Sequence, residues 1–345
     1  MDHLQYFVKR ILLIIPTFIG ITFLCLLITQ FVPGGPIEQQ IAKMRGIGGE
    51  GGKNTGASQR MTEERIEEMK KVYGFDKPIT HQYWNWLYHG KMGMTSKSYK
   101  YKKDSVWKVI REKFSISLTF GLTGFFLSYL ICIPLGISKA IREGSVFDVS
   151  SSVIIFIGYA IPAFAFGMIL KMFFCGTIES FWDIFPVAGF QSQMYEQMGI
   201  GDKLLDRVKH MFLPILCYMI GSFAVLTLLM KNSLLEEVGK DYIRTVLARG
   251  GSHRQAIWGH ALRNSLIPIS TGLGGVFTLM FAGSVLIEKV FEIPGMGLLS
   301  LDAILSHDYM VFMGITALTS ILGLVGNVFS DFIYVIVDPR INFQK

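Results

Sequence analysis

The sequence lacks the motifs that would mark an enzyme or a metalloprotein. It has no His-Glu-x-x-His sequence and no paired-cysteine motif, and no two of its seven histidines stand four residues apart. Gly52-Lys53 does not form a phosphate-binding loop, because no glycine lies five residues earlier and Asn54 follows in place of serine or threonine. These absences predict that the chain is not an enzyme and binds no cofactor or metal. Any energy from ATP and Mg²⁺ would have to be supplied by partner subunits.

Cysteines with the spacing of a disulfide framework or a zinc site are also missing. The four cysteines all lie inside apolar runs, which predicts packing roles: Cys25, Cys132, Cys175 and Cys217.

Charged residues are scarce, at 17% of the 345 residues, whereas 51% are hydrophobic. The length would allow two or three soluble domains, but this composition is typical of a membrane protein that crosses the bilayer several times. A bilayer core about 30 Å thick is crossed by a helix of roughly 20 apolar residues. Six apolar runs are long enough: Val8–Val32, Ser115–Ile137, Val149–Cys175, Met211–Met230, Ser265–Lys289 and Tyr309–Ile336. The sequence therefore predicts an all-α protein with six transmembrane helices.

The first apolar run is predicted to be an uncleaved span and not a signal peptide. The run is too long for a signal peptide, and Pro33-Gly34-Gly35-Pro36 offers no cleavage site of small residues. It would be followed by an external segment, residues 33–114. Within that segment Gly46–Gly56 is glycine-rich and Met61–Val72 has the pattern of a surface helix.

The positions of basic residues in short loops predict the orientation in the membrane. Such residues precede the first span, separate the second from the third, fill the 231–264 loop and end the chain: Lys9, Arg10, Lys139, Arg142, Lys231, Lys240, Arg244, Arg249, Arg254, Arg263, Arg340 and Lys345. This places both termini and the 231–264 loop in the cytoplasm. The 33–114 segment is basic as well, but long translocated segments escape the rule. The net charge of +7 is thus attributed to basic residues that orient the chain in the membrane, and no nucleic-acid partner is expected.

The 231–264 loop is the longest polar interruption in the apolar second half, and it is predicted to form two short helices hinged at Gly250-Gly251. Glycine at 250 would end the first helix in a left-handed conformation, and Ser252 would cap the second. In each helix apolar residues recur at helical spacing. They are Leu235, Val238, Tyr242 and Val246 in the first helix, and Ile257, Trp258, Ala261 and Leu262 in the second.

This loop resembles the coupling loop of ABC-importer permeases of the oligopeptide/dipeptide/nickel group. The resemblance rests on Asp241-Tyr242-Ile243-Arg244-Thr245, Ala248-Arg249-Gly250, His260-Ala261-Leu262-Arg263-Asn264 and Leu266-Ile267-Pro268. Arg244-Thr245-Val246 stand where the broader family has Glu-Ala-Ala, a departure that is usual in the peptide group. An ordinary basic loop would explain the charges but not this spacing.

Further matches extend the resemblance over essentially the whole chain. Tyr73–Pro78 and Tyr83–Leu87 are similar to the peptide group, and their aromatic residues are interpreted as anchors at the membrane interface or, alternatively, as contacts to a partner. Val153–Phe164 and Asp331–Phe343 are similar to the Yej-type branch, whose members import microcin-like and other peptides.

The resemblance implies a permease subunit of an ABC importer for peptides or peptide-like substrates in the bacterial inner membrane. Such a subunit pairs with a second, homologous permease, binds cytoplasmic ATPases and receives substrate from an external binding protein. The chain would divide into a first span (1–32), the external segment (33–114) and a five-helix permease core (115–345). Dipeptides, oligopeptides, modified peptides and nickel chelates are all carried by relatives, so the family does not fix the substrate.

The resemblance also implies functional residues. Coupling to the ATPase would involve Asp241, Arg244, Thr245, Ala248, Gly250, Ser252, His260, Arg263 and Asn264. Between the last two spans, a segment that dips towards the translocation path supplies candidates for an external gate: Glu288, Phe291, Pro294 and Gly295. At Gly250, valine should uncouple transport, whereas alanine at Gly251 is expected to be milder.

Three ionisable residues in or beside the spans leave alternatives open. Glu288 is equally consistent with a contact to substrate and with pairing to the end of an adjacent helix, since a buried carboxylate is costly alone. Lys171 is interpreted as reaching back to water from the outer end of the third span, with a substrate contact as the alternative. Asp331 is predicted to pair with Lys9 or Arg10.

Two other classes of function are weighed against the permease. An ion-coupled secondary transporter would place ionisable residues near the middle of the membrane and often shows inverted repeats, and neither is evident. A membrane-anchored receptor would need one span, not six. Co-purification with an ATPase would separate the permease from both.

Overall fold

The computed structural model describes residues 3–31, 77–98, 100–101, 104–177, 182–274 and 284–337. The predictions for Gly46–Gly56, for Met61–Val72, for Tyr73–Asp76 and for the chain end from Asp338 lie outside these residues. Across the described ranges every regular element is a helix, and β pairing is limited to isolated bridges. The all-α prediction is confirmed for this part of the chain.

Twelve helices are described in chain order. They are α1 (His3–Phe31), α2 (Ile79–Trp84 and Asn85–His89, without a break), α3 (Val106–Ile141), α4 (Val146–Ala160), α5 (Ala163–Phe174), α6 (Ile200–Val238), α7 (Asp241–Ala248), α8 (His253–Gln255, Ala256–Ala261 and Leu262–Ser265, without a break), α9 (Ile267–Thr271), α10 (Val285–Val290), α11 (Met296–Leu305) and α12 (Tyr309–Val337), with short 3₁₀ turns left out.

Four of these helices, α1, α3, α6 and α12, are long and apolar enough to cross a membrane. α1 covers the first predicted span as far as Phe31, and α3, α6 and α12 contain the second, fourth and sixth, so these spans are confirmed as helices. α3 and α6 extend well beyond the predicted apolar runs. Their ends are polar, so hydropathy alone underestimated their length.

The third predicted span, Val149–Cys175, is not one straight helix. α4 and α5 meet at an angle of 98° at Ile161-Pro162. Proline has no N–H to donate, and it forces the preceding residue out of the helical region. Ile161 is accordingly extended, with φ −88° and ψ 123°. The two helices have 15 and 12 residues, about 22 and 18 Å, so neither alone crosses a bilayer core of about 30 Å.

The fifth predicted span, Ser265–Lys289, stays a prediction. Its described parts are the short α9, a 3₁₀ turn at Gly272–Gly274, and α10. Residues 275–283, which would join them, lie outside the described ranges. Counting α4 and α5 as one crossing, the described residues support up to five spans.

The chain forms two compact units. The larger one comprises residues 1–12, 114–298 and 322–345, and the smaller one comprises residues 13–113 and 299–321. The larger unit has two hydrophobic clusters. Cys175 and Cys217 lie in the first and Cys132 in the second, and all three are buried and unbridged, as expected of packing residues.

An ion pair within the larger unit confirms the prediction for Asp331. Its Oδ2 lies 2.5 Å from Nε of Arg10, and the Tyr6 hydroxyl donates to the same oxygen at 3.4 Å. The start of α1 is thereby tied to the late part of α12.

In the smaller unit the predicted aromatic cluster divides into a buried half and an exposed half. Tyr83 and Trp86 are buried, and the Tyr83 hydroxyl lies 2.8 Å from Oγ1 of Thr22 on α1. The interface interpretation is therefore wrong for these two residues, because they form part of this unit's own core. It remains a prediction for the exposed Trp84, whose ring lies 4.7 Å from that of Tyr88.

Candidate functional site

The polar segment predicted to couple the protein to an ATPase begins later than its sequence pattern suggests. α6 continues to Val238, and Gly239 ends it by donating its N–H to the Leu235 carbonyl at 3.2 Å. Lys240 is extended, which lets the chain turn into α7 at Asp241. The first short helix is thus Asp241–Ala248. The predicted first helix included Leu235 and Val238 because the helical spacing of apolar residues continues across Gly239-Lys240, where α6 ends and α7 begins.

The turn between α7 and α8 confirms the predicted hinge. Gly250 has φ +85°, in the left-handed region that favours glycine, and its N–H bonds the Leu247 carbonyl. Ser252 then caps α8: its Oγ accepts from the N–H of Gln255 at 3.2 Å, and the Gln255 side chain accepts from the N–H of Ser252 at 3.0 Å. This reciprocal pair is a capping box.

The middle of α8 is a π-helical turn, Ala256–Ala261. A π turn spaces equivalent positions five residues apart, so Ala256 and Ala261 share the buried face. Ile257 and Leu262 pack at its margin. Trp258, predicted to lie on the same face, is instead 53% exposed. The prediction assumed a period of 3.6 residues and failed where the period changes.

The buried faces of α7 and α8 form part of the second hydrophobic cluster. Ile243 of α7 and the two alanines of α8 belong to the same cluster as Met230 and Leu234 of α6, and Cys132 of α3 joins them. The Ser233 hydroxyl also donates to the Ser265 carbonyl at 2.9 Å. Both short helices therefore rest on the ends of two long helices and can move with them.

The opposite face of α7 and α8 carries the predicted coupling residues. All nine residues proposed for coupling are exposed in this chain: Asp241, Arg244, Thr245, Ala248, Gly250, Ser252, His260, Arg263 and Asn264. Arg244 lies 3.4 Å from the Asp241 carboxylate, and Thr245 donates to the Asp241 carbonyl at 3.0 Å. The face offers polar and charged groups above a rigid apolar base.

A hydrogen-bonded network at the start of this segment links the coupling candidate Asn264 to residues that were not predicted. The Asn264 amide donates to the Tyr242 hydroxyl at 3.2 Å, which donates to Glu237 at 2.6 Å. Lys240 donates to the same carboxylate at 2.5 Å. Burial and the Glu237 hydrogen bond raise the pKa of Tyr242, and Glu237 raises the pKa of Lys240, so both stay protonated donors at neutral pH.

A second unpredicted group joins three helices near the base of the segment. Lys139 on α3, which has no exposed surface, donates to Ser151, Ser152 and the Asp148 carbonyl, each at 2.7 Å. The Asp148 carboxylate lies 3.1 Å from Lys139 and 2.7 Å from Lys231 on α6. We call Lys139, Asp148 and Lys231 the three-helix clamp. Little in the sequence indicated this group, because each of the three residues lies at the end of an apolar run, where a charged residue is ordinary.

The predicted gate residues lie inside the larger unit. Glu288 is 1% exposed and accepts hydrogen bonds from Ser117 at 3.1 Å and from the backbone N–H of Leu298 at 2.6 Å. Leu298 is in the first turn of α11, so the carboxylate caps that helix. This agrees with the structural alternative, pairing with an adjacent helix end.

The other three gate candidates surround that carboxylate. Phe291 is buried in the first hydrophobic cluster, Pro294 is partly buried, and Gly295 is buried against Glu288. A Cβ at Gly295 would collide with the Glu288 carboxylate, so this close approach requires glycine.

Lys171 contacts the end of α10, and both of its interpretations stay predictions. Its Nζ donates to the Val290 carbonyl at 2.9 Å and lies 3.9 Å from Glu292. The side chain is 18% exposed and ties α5 to the end of α10. Within the residues that the structure describes, no group of three His, Cys, Asp or Glu side chains could hold a metal ion.

The chain is similar to known proteins along its length. Residues 132–343 match the model of the family described as binding-protein-dependent transport system inner membrane component. The chain is 38% identical to the inner membrane ABC transporter permease protein YejB of Escherichia coli O157:H7, covering 98% of this chain and 99% of that one. It is 36% identical to the peptidoglycan transport system permease protein YejB of Agrobacterium fabrum, over 99% and 98%. It is 31% identical to the dipeptide transport system permease protein DppB of Escherichia coli K12, over 99% and 100%.

Proposed function

Because this chain belongs to the family of inner membrane components of binding-protein-dependent transport systems, we propose that it is the permease subunit of an ABC importer for peptides or peptide-like molecules. The observation that carries the proposal is the match over nearly the full length to permeases of peptide transport systems. The relatives named for peptidoglycan and for dipeptides support substrates that contain peptide bonds.

The chain supplies the passage and its partners supply the energy. The family description joins its members to a binding protein, and the relatives' description as ABC transporter permeases implies ATPase subunits that use ATP and Mg²⁺. A second, homologous permease would complete the passage. The chain itself performs no hydrolysis in this proposal.

The segment of α7 and α8 is proposed as the surface that the ATPase grips. Its exposed face is polar, and its buried face rests on α6 and α3. Movement of an ATPase that holds the exposed face would therefore be passed to the long helices as a rigid-body displacement. This displacement would switch the passage between outward and inward access.

The proposed topology follows the basic residues of the short loops. Both termini and the α7–α8 segment would lie in the cytoplasm, with six spans and an external 33–114 segment facing the binding protein. The gate candidates around Glu288 would lie near the external mouth of the passage.

Reconstitution tests this function against the ion-coupled alternative. The chain is co-expressed with a homologous permease, an ATPase and a binding protein from the same organism, and the complex is purified and placed in liposomes. We expect uptake of a peptide to require ATP and the binding protein, and to be unaffected by a protonophore. Uptake that is driven by an ion gradient without ATP would contradict the proposal.

A further inference from the structure

A cavity of about 520 Å³ lies within the larger unit, between the middle of α3, the middle of α6 and the α9 region. Its lining begins at Gly121 on α3 and at Tyr218 on α6. It shares no lining residue with the α7–α8 segment, with the three-helix clamp or with the gate candidates. Its volume lies in the range of about 300–1,000 Å³ that is typical of binding sites for small molecules.

The chemistry of the lining is apolar and neutral. None of the fourteen described residues that line the cavity is charged. Its hydroxyl groups are already engaged: Ser128 and Ser222 lie 3.5 Å apart, Tyr129 donates to the Ile269 carbonyl at 3.4 Å, and Tyr218 accepts from a backbone N–H at 2.9 Å. The cavity therefore offers aromatic and aliphatic contacts and few free hydrogen-bonding groups.

Four glycines line the cavity, at positions 121, 124, 221 and 272. A Cβ at Gly221 would meet no atom within 4 Å. Glycine is a poor helix former, and Gly221 lies in the middle of α6 without the positive φ that would require it. Among the described residues, neither packing nor a positive φ requires glycine at this position. Its missing side chain leaves space in the cavity.

Resting on the proposed function, we propose that this cavity is a subsite for one uncharged apolar or aromatic side chain of the peptide in transit. A charged side chain would lose its hydration there without gaining a partner, so it would be disfavoured. An aromatic side chain would gain contacts with the rings of Phe125, Tyr129 and Tyr218. Because the hydroxyl groups are engaged within the protein, such a side chain would be held mainly by apolar contact and not by hydrogen bonds.

Filling the cavity tests the subsite. Gly221→Phe places a ring in the open space, and Gly20→Phe is the matched control, since Gly20 is also exposed in mid-helix with no atom within 4 Å of its Cβ. The complete complex is reconstituted with a binding protein shown to bind tri-alanine and Ala-Trp-Ala, and uptake of each is measured. We expect Gly221→Phe to lower Ala-Trp-Ala uptake at least about tenfold, a typical penalty for steric exclusion from an apolar pocket. Uptake of tri-alanine, and of both peptides in the control, should stay within about twofold.

A labelling experiment gives a readout that does not depend on transport. Gly221→Cys, in a complex whose other cysteines are replaced, is treated with N-ethylmaleimide in the presence of each peptide. Ala-Trp-Ala should slow the labelling, and tri-alanine should not.

Other results would overturn the inference. An equal loss of both peptides in Gly221→Phe would show that a permanent occupant, such as the second permease or a lipid, fills the cavity. Unchanged uptake of both, with labelling that neither peptide slows, would show that peptides do not enter it. If the wild-type complex imported neither bound peptide, the proposed function would fail, and the subsite with it. An equal loss of both peptides, or unchanged uptake without protection from labelling, would overturn the subsite but leave the proposed function intact.

Discussion

Two adjacent glycines in the turn between α7 and α8 are needed for different physical reasons. Gly250 adopts φ +85° but has open space around its Cβ position. Gly251 has no positive φ, yet a Cβ there would lie 2.8 Å from Cγ1 of Val246 and 2.9 Å from its carbonyl oxygen. The first position is restricted by the backbone and the second by close packing.

Gly250→Val should uncouple transport from hydrolysis, whereas Gly250→Asn should largely preserve coupling. Asparagine enters the left-handed region readily, but for a β-branched residue the strain is about 1–2 kcal/mol or more. Substrate-stimulated ATPase activity of the reconstituted complex measures the difference. Equal activity in the two variants would show that the backbone conformation at Gly250 does not matter for coupling.

Gly251→Ala should be more harmful than the sequence suggested. The sequence pattern favoured a mild effect, but the added methyl group would press against the Val246 backbone, which cannot turn away like a flexible side chain. Overpacking of this kind costs about 1–3 kcal/mol. The control is Gly259→Ala in the same segment, where a Cβ meets no atom within 4 Å. A fall in apparent melting temperature confined to Gly251→Ala is expected, and no difference between the two variants would contradict the steric account.

At the scale of helices, the three-helix clamp holds α3, α4 and α6 together through one carboxylate between two lysines. Asp148 is 6% exposed and Lys139 is fully buried, so the charges are largely removed from water. Such a group is stable only while its charges are paired and hydrogen-bonded. Two of the three helices, α3 and α6, also support α7 and α8, so the clamp is placed to keep these two helices moving as one body.

Asp148→Asn should destabilise the protein by about 3–5 kcal/mol, because it leaves the buried Lys139 and the partly buried Lys231 without a counter-charge. Adding Lys231→Met should restore part of the loss, since it removes one unpaired charge. Asp202→Asn is the control and should change little, since Asp202 is an exposed acid on α6, the helix that carries Lys231. The apparent melting temperature of the purified complex is measured for Asp148→Asn, for the double variant and for Asp202→Asn. A double variant no more stable than Asp148→Asn alone would exclude the electrostatic explanation.

The helices could be predicted from sequence where one pattern dominates, and not where patterns compete. Long apolar runs identified α1, α3, α6 and α12, and the glycine and serine of the α7–α8 turn specified its geometry. The bend at Pro162 was missed because hydropathy continues through it.

Other features depended on tertiary structure. The π turn of α8 exposes Trp258, because its period differs from the one that the prediction assumed. The three-helix clamp and the Glu237–Tyr242–Asn264 network join residues far apart in sequence, and no local pattern indicates such pairs. The Asp331–Arg10 pair was predictable only because its partners were the few charges near two span ends.

For the whole molecule, the decisive property is which side of the membrane each segment faces. Gln193 precedes α6, and His253 begins α8, and both are exposed in the structure. Basic residues of short loops flank the α7–α8 segment and predict that it faces the cytoplasm. α6 is long enough to cross the bilayer between Gln193 and that segment, so the two residues should lie on opposite sides.

Single cysteines at Gln193 and His253, in a background without the four native cysteines, test this orientation with an impermeant maleimide. The cysteine at Gln193 should react in intact cells, and the one at His253 only after permeabilisation. Glu143→Cys, exposed in the α3–α4 turn, should also require permeabilisation and serves as the matched control. If the ATPase covers the α7–α8 segment, its removal should speed labelling of His253→Cys and leave Glu143→Cys unchanged. Labelling of His253→Cys in intact cells would reverse the topology, and equal speeding at both positions would place the ATPase elsewhere.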